Sequence, residues 1–313
     1  RNLALLFLLT FCKLQRHLNS MLDLLLPTLS QGLLWAIMAL GVYLTYRVLD
    51  IADLTVEGSF PLGAAVAAAL LTKGFNPLTA ILVAGIAGAL AGVVTGILHT
   101  KLKIPALLAG ILTMIALYSV NLRIMGKANL SLLRVDTVFT FIKSIGLSNA
   151  QAVFVVGLVS TVLFGLLMYW FFGTEIGAAI RATGFNQQMI RAQGIDTNVT
   201  IISGLLISNA LVAISGALIA QSNGFADVGM GVGTIVIGLA SVIIGEVLFG
   251  TRSFKNCLIS VVLGSVVYRF VIALVLQLGM PPNDLKLFTS VLVAFALSMP
   301  LFKKSIDGRK VAK

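Results

Sequence analysis

Few side chains in this sequence could do covalent chemistry. Its two cysteines, Cys12 and Cys257, and its two histidines, His17 and His99, are widely separated. No helix-spaced histidine pair, His-Glu-x-x-His run or cysteine quartet occurs, so neither a metal centre nor a catalytic group is indicated. A phosphate-binding loop would read Gly-x-x-x-x-Gly-Lys followed by Ser or Thr. The only Gly-Lys pair, Gly126-Lys127, has no such loop before it and Ala128 after it. What remains is ionic. Asp53, Glu57, Asp227 and Arg269 stand beside or within apolar runs, where a charge is costly and needs a partner or a task. These four are candidates for lining a transport path, and each has a plainer reading. Asp53 and Glu57 can cap a broken helix, and Arg269 is favoured as a structural partner for a carboxylate or helix end. Glu246 can pair with Arg47 or Arg252.

The elements that must position these residues are membrane spans. The chain has 313 residues, 58% hydrophobic and 11% charged, with a mean hydropathy of +1.05. Soluble domains carry about 25% charged residues, so a water-soluble globule, a disordered chain and a nucleic-acid binder are excluded. Uncharged runs predict spans near 24–46, 77–98, 104–120, 150–173, 199–221, 232–249, 257–277 and 285–302. A ninth, Gly58 to Leu71, is short and rich in Gly and Ala, and it follows Asp50, Asp53 and Glu57. Unbroken apolar runs favour helices over the alternating strands of a barrel. The expectation is an all-α integral membrane protein of about 8–10 transmembrane helices, broken half-helices included.

Residues 1–20 form an N-terminal extension of uncertain status: a tenth helix, an interfacial anchor or a leader, with Met21 as a natural start. Residues 21–302 form the transmembrane domain and 303–313 a basic tail carrying Lys303, Lys304, Arg309, Lys310 and Lys313. Basic residues concentrate on cytoplasmic faces, so the tail is placed inside. Nine spans then put 47–57, 99–103, 174–198 and 250–256 inside as well, with 12 basic residues inside against 9 outside. The segment 121–149 runs against that bias.

The inside segment from Thr174 to Asn198 reads as two short helices. Thr174 is a fair N-cap, Glu175 suits a first turn, and Gly184 can end a helix in the left-handed conformation. Asn186 can cap a second helix that Gly194 ends, and Asp196 and Thr197 start the next span. Arg181 and Arg191 lie ten residues apart. Taken alone, this is either a solvated connector or a compact surface block.

Gly177, Arg181-Ala182, Gly184, Asn186, Arg191-Ala192 and Gly194-Ile195 resemble the cytoplasmic signature of permease subunits from ABC importers of the branched-chain amino acid and ribose type. The resemblance extends through Ala36 to Tyr46, Ile51 to Leu54 and Glu57-Gly58-Ser59. Around Leu49 to Ser59 the chain looks most like permeases for aromatic amino acids such as tryptophan and tyrosine. The turn at Gly245 to Lys255 departs from the family in carrying Glu246 and Arg252. The resemblance implies that Gly177, Arg181, Ala182, Gly184, Asn186, Arg191 and Gly194 form the element that docks on an ATPase. It implies cytoplasmic ABC ATPase subunits as partners, which bind the ATP and Mg that this chain cannot. It further implies a second permease, expected as a homodimer, an extracytoplasmic substrate-binding protein, and a bacterial-type inner membrane with the C-terminus cytoplasmic.

Leu49-Asp50-Ile51-Ala52-Asp53-Leu54 with Gly58 and Asn223-Gly224-Phe225-Ala226-Asp227-Val228 with Gly229, Gly231 and Gly233 look alike. Five spans separate them, so the second copy would be inverted. Broken Gly-rich segments at matching places of two inverted halves point to a transport path; chance similarity of Gly-rich turns is the competing reading. The expected function is translocation of a small solute, an amino acid or related molecule, by alternating access. The runner-up is a stand-alone secondary transporter, which needs coupling acids in mid-membrane, whereas the acids here fall near span ends. An intramembrane enzyme is third, and no nucleophile with a base is available to it.

Overall fold

The computed structural model describes residues 25–144, 146–279, 284, 287–291, 293–295 and 298. The N-terminal extension, half of the expected 285–302 span and the basic tail lie outside the described residues. The helices are α1 (Leu25–Val48), α2 (Val56–Thr72), α3 (Pro77–Thr100), α4 (Ala106–Met125), α5 (Val138–Lys143) and α6 (Asn149–Phe172). They continue with α7 (Glu175–Phe185), α8 (Gln187–Ala192), α9 (Thr197–Asn223), α10 (Thr234–Phe249) and α11 (Phe254–Gln277). Two short strands, β1 (Asn129–Ser131) and β2 (Phe225–Asp227), pair antiparallel with Asn129 opposite Asp227. Seven helices among the described residues are long and apolar enough to cross a membrane, α10 being so when taken with the helical turn before it as Val228–Phe249, and α2 is a shorter apolar one.

Local sequence sets the starts. The Asn76 side chain accepts from Leu78 N–H just ahead of Pro77. Ser148 and Gln151 form a capping box at α6, and Ser253 accepts from Asn256 N–H at α11. The expected 121–149 loop is instead built: α4 runs on to Met125, β1 pairs with β2, and a Thr137 capping box starts α5.

Helix α1 is the hub. Its backbone carbonyls at Gly32, Leu33, Leu34 and Gly41 accept from Ser265, Thr161, Ser215 and Ser208, which belong to α11, α6 and α9. Where apolar burial cannot drive association, hydroxyl-to-carbonyl bonds and close packing hold helices together. The pairs Leu34–Ser215 and Gly41–Ser208 run in opposite order, so α1 and α9 are antiparallel. Helix α3 meets α9 through Gly88, Gly92 and Gly96: a Cβ at Gly92 would overlap the Leu205 carbonyl, and one at Gly88 the Asn209 carbonyl. The other face of α3 exposes Leu82, Ile86, Leu90 and Val94, an apolar surface for lipid.

These pairings give the molecule two ends. One gathers the C-terminus of α1, the α3–α4 turn, α7, α8 and the α10–α11 turn; the other holds β1, β2 and α5. The first end therefore carries the loops the sequence grouped on one side, with Arg47 bonded to Glu246 at 2.9 Å.

The span between α1 and α3 is broken. At 1.5 Å per residue, α2's 17 residues reach about 25 Å, short of a hydrocarbon core of about 30 Å. The stretch 49–55 supplies the rest in non-helical form. Asp50 turns it with φ 55°, and Gly110 of α4 lets the backbone at Leu54 pack closely.

Candidate functional site

Two regions carry the sequence-predicted residues. At the first, Thr174 accepts from Gly177 N–H, Asn186 accepts from Met189 N–H, Gly194 takes φ 86°, and Asp196 accepts from Asn198 N–H. Both short helices, α7 and α8, form where expected. Gly184 differs from expectation: it lies inside α7, not at a left-handed end. A Cβ there would overlap the Val48 carbonyl, and one at Gly177 the Phe171 carbonyl. Seven residues apart, these glycines share one helix face and seat α7 directly on the backbones of α1 and α6. Thr183 and Thr200 join α7 to α9 through a 2.8 Å hydroxyl pair.

The arginines do not both face outward. Arg181 stacks over the ring of Phe254, the first residue of α11, at 5.2 Å, and its Nε is buried without a partner. The Arg191 Nε donates to Thr197 Oγ1 at 2.6 Å, joining α8 to α9. Ala182 lies half-buried beside Arg181. Among the exposed residues of the element are large apolar ones as well as polar ones: Phe185 is 92% exposed, and Ile176 and Met189 are exposed too. Sequence reasoning did not single out Phe185, although an aromatic residue between two polar caps was the available signal.

The second region is the broken span. Asp53, expected near a span end, is 2% exposed and meets Asn209, midway along α9. Its Oδ1 accepts from Thr55 N–H at 2.9 Å and its Oδ2 from Asn209 Nδ2 at 2.8 Å. Asn209 Oδ1 accepts from Ser59 Oγ at 2.7 Å. Alongside, the Thr55, Thr95 and Thr113 hydroxyls form a chain with links of 2.7 and 2.9 Å. The depth follows from the coil 49–55, which carries the start of α2 inward before helix resumes.

One turn on, Glu57 accepts from Gly233 N–H at 3.0 Å, and Gly231 packs against the Glu57 carbonyl and Pro61 ring. Pro61 has no N–H to give that carbonyl. Glu57 also faces a cavity of about 330 Å³ between α2, α4 and the turn after β2, walled by Met114, Ile115, Tyr118 and Val232. Asn121 lines it too, fully buried; its Nδ2 donates to the Gly58 carbonyl at 3.3 Å and its Oδ1 has no partner.

Asp227 lies at the β1–β2 end, where it accepts from Gly229 N–H at 2.7 Å and from Asn129 Nδ2 at 3.2 Å. The two similar segments thus share an aspartate that accepts the N–H two residues on, ahead of a Gly-rich turn or helix. They follow the antiparallel helices α1 and α9, and they differ in burial, Asp53 being enclosed and Asp227 only half-buried. Arg269 stands apart on α11. Its guanidinium lies 4.1 Å above the Trp35 ring, which stacks in turn on Phe60 at 5.2 Å, and its buried Nε has no partner. Among the described residues no cluster of His, Cys, Asp and Glu could hold a metal ion.

The chain resembles proteins already described. A relative from Clostridioides difficile (strain R20291), named a tyrosine transport system permease protein, is 42% identical over 269 residues, 86% of this chain and 88% of the relative. An uncharacterized protein of Rickettsia prowazekii (strain Madrid E) is 33% identical over 286 residues, 88% of this chain and 98% of the relative. Among solved structures, a putative metal-chelate type ABC transporter in an inward-facing conformation aligns at 13% identity and a TM-score of 0.49, with 90% of this chain and 85% of that chain covered. Residues 24–297 match the family described as branched-chain amino acid transport system / permease component. That match spans most of the sequence, and the 42% identical relative covers it nearly as fully, so this chain is a membrane permease and belongs to that family.

Proposed function

We propose that the chain is the membrane-spanning subunit of an ABC importer for an amino acid, an aromatic one such as tyrosine being favoured by the name of the 42% identical relative. The observation that carries the importer reading is the α7–α8 element. It is seated on α1 and α6 through Gly184 and Gly177, tied to α9, and presents Phe185 to solvent. An exposed phenylalanine on a firmly seated short helix fits a groove on a partner, and a seated helix transmits motion as a lever where a slack loop would not. Gly177, Arg181, Ala182, Gly184, Asn186, Arg191 and Gly194 then act as the framework of the coupling element, and Phe185 and Met189 as its contact surface.

In this mechanism a separate ATPase holds ATP and Mg on the cytoplasmic side, which is the α7–α8 end. Closure of the ATPase dimer moves the coupling elements of two permeases and opens the path between them to one side, in a bacterial-type inner membrane. A binding protein delivers substrate at the β1–β2 end. Glu57, beside the cavity, is the favoured path residue of the four ionic candidates. The buried Asp53 is the observation that suits an ion-coupled secondary transporter instead, but its oxygens are occupied by Thr55 and Asn209.

The test is co-purification with the ABC ATPase encoded beside the gene. Wild type retains the ATPase, whereas Phe185→Glu, or Arg181→Glu with Arg191→Glu, loses it while the permease stays monodisperse. If wild type retains no ATPase in any detergent or lipid, the importer reading fails and the secondary transporter leads.

A further inference from the structure

The cavity beside Glu57 has features that an ordinary packing gap lacks. At about 330 Å³ it falls in the range of small-molecule sites, about 300–1,000 Å³, which join apolar walls to a few convergent polar groups. Besides the hydroxyls of Tyr118 and Ser119, its polar groups are acceptors. Glu57 brings a carboxylate, of which Oε1 already takes the Gly233 N–H. Asn121 brings an amide oxygen that is fully buried and unpartnered. The amide cannot be turned to relieve this, because its nitrogen is the group that faces the Gly58 carbonyl, and two facing oxygens would repel. Among the described residues the ion pair that forms is Arg47–Glu246, so Glu57 has no cation of its own there. Buried acceptors are nearly always satisfied, and the missing partner here is a donor, best a positively charged one.

We propose that Glu57 and Asn121 form a subsite for the α-ammonium group of the amino acid during its passage, with Met114, Ile115 and Tyr118 receiving its apolar or aromatic side chain. This rests on the amino-acid reading above and adds the group that is recognised. A primary ammonium has three donors, enough for the Glu57 carboxylate and the Asn121 oxygen together. A substrate lacking the amine would leave the Glu57 carboxylate and the buried Asn121 oxygen without that donor, an arrangement that discriminates against such an analogue.

The experiment uses the permease reconstituted in proteoliposomes with its ATPase and binding protein. Ser119 lines the same cavity, so Ser119→Cys, in a background of Cys12→Ser and Cys257→Ser, reports occupancy through its rate of labelling by a cationic methanethiosulfonate. L-Tyrosine is expected to slow labelling severalfold, and 3-(4-hydroxyphenyl)propionate, which lacks only the amine, to leave the rate unchanged. Glu57→Gln keeps an oxygen for the Gly233 N–H while removing the charge. It is expected to abolish protection and to lower tyrosine uptake about tenfold or more, as loss of a hydrogen bond to a charged group does. Asn121→Leu is expected to act in the same direction. Equal protection by the analogue, or protection that survives Glu57→Gln, overturns the subsite while leaving the amino-acid reading intact. Absence of uptake of tyrosine, tryptophan, phenylalanine or leucine by the wild-type complex overturns the amino-acid reading, and the subsite with it.

Discussion

Asn209→Leu removes the centre of the polar network in the broken span without changing the side chain's shape, since both residues branch at Cγ into two heavy atoms. Three hydrogen bonds are lost: Asn209 Nδ2 to Asp53 Oδ2 at 2.8 Å, Ser59 Oγ to Asn209 Oδ1 at 2.7 Å, and Asn209 Nδ2 to the Leu205 carbonyl of its own helix at 3.0 Å, a bond of little weight because that carbonyl lies within α9. Asp53 and Ser59 are both enclosed, so water does not replace the lost partners. The bond to the carboxylate is worth roughly 1.5–3 kcal/mol and the hydroxyl bond about 1 kcal/mol. The Ser59 hydroxyl retains only a long 3.5 Å approach to the Val56 carbonyl. The expected loss is about 2–4 kcal/mol, or roughly 4–8 °C at about 2 °C per kcal/mol. The readout is the fraction of monodisperse permease surviving timed heating in detergent, compared at one heating rate because unfolding of such proteins is irreversible. Ser59→Ala added to Asn209→Leu should cost less than the sum of the single changes, by about 1 kcal/mol, because the serine has already lost its acceptor. An Asn209→Leu midpoint within 1 °C of wild type, or strict additivity with Ser59→Ala, would refute the claim that this network holds the start of α2.

Three further outcomes follow from the packing. Gly92→Leu drives a side chain into the Leu205 carbonyl and should abolish monodisperse expression, whereas Gly165→Ala, with nothing within 4 Å, should hold or raise stability by about 0.5–1 kcal/mol through helix propensity; gel filtration distinguishes them. Glu246→Ala breaks an ion pair whose Arg47 side chain is 55% exposed, so heating midpoints should move by no more than the equivalent of about 1 kcal/mol. Trp35→Leu removes the ring under Arg269 and leaves a buried guanidinium facing less favourable surroundings; a loss of about 1–2 kcal/mol is expected, read by the same heating assay, and Arg269→Met should relieve part of it.

Hydropathy and local capping made much of this molecule legible. The expected spans at 77–98, 150–173 and 257–277 lie within three residues of α3, α6 and α11 at either end. Thr174, Asn186, Gly194 and Asp196 fix the α7–α8 element by interactions with residues two or three positions away, and contacts that local can be read from spacing. Gly184 could not be read that way, because its reason is the Val48 backbone, 136 residues earlier. Asn121 and Asn209 were passed over for a related reason. A single amide inside an apolar run barely lowers its hydropathy, and only the fold reveals whether that amide meets Asp53 or opens on a cavity. One missed signal was available: Gly88, Gly92 and Gly96 recur every fourth residue, the spacing that brings membrane helices into backbone contact.

The break before α2 is expensive in a membrane, because non-helical backbone there must find partners in the protein. Ile51 N–H goes to the Thr45 carbonyl and Thr55 N–H to Asp53, while Gly110 of α4 takes the backbone at Leu54 and Gly204 of α9 the Leu49 side chain at close range. Continuous helix would have met those needs without a buried carboxylate, so the break must do something that helix cannot. Its position indicates what. Residues 48–57 begin at the carbonyl that touches Gly184 of α7 and end at the carboxylate that faces the cavity. Nine peptide bonds therefore join the element proposed to receive the ATPase stroke to the site proposed to hold the substrate. Both ends of that stretch are fixed, at Gly184 and at Gly233, and its middle is fixed at Asn209. In the importer reading, a displacement of α7 is not absorbed as slack. It must shift the start of α2 against α9, and with it the wall of the cavity that Glu57 supplies.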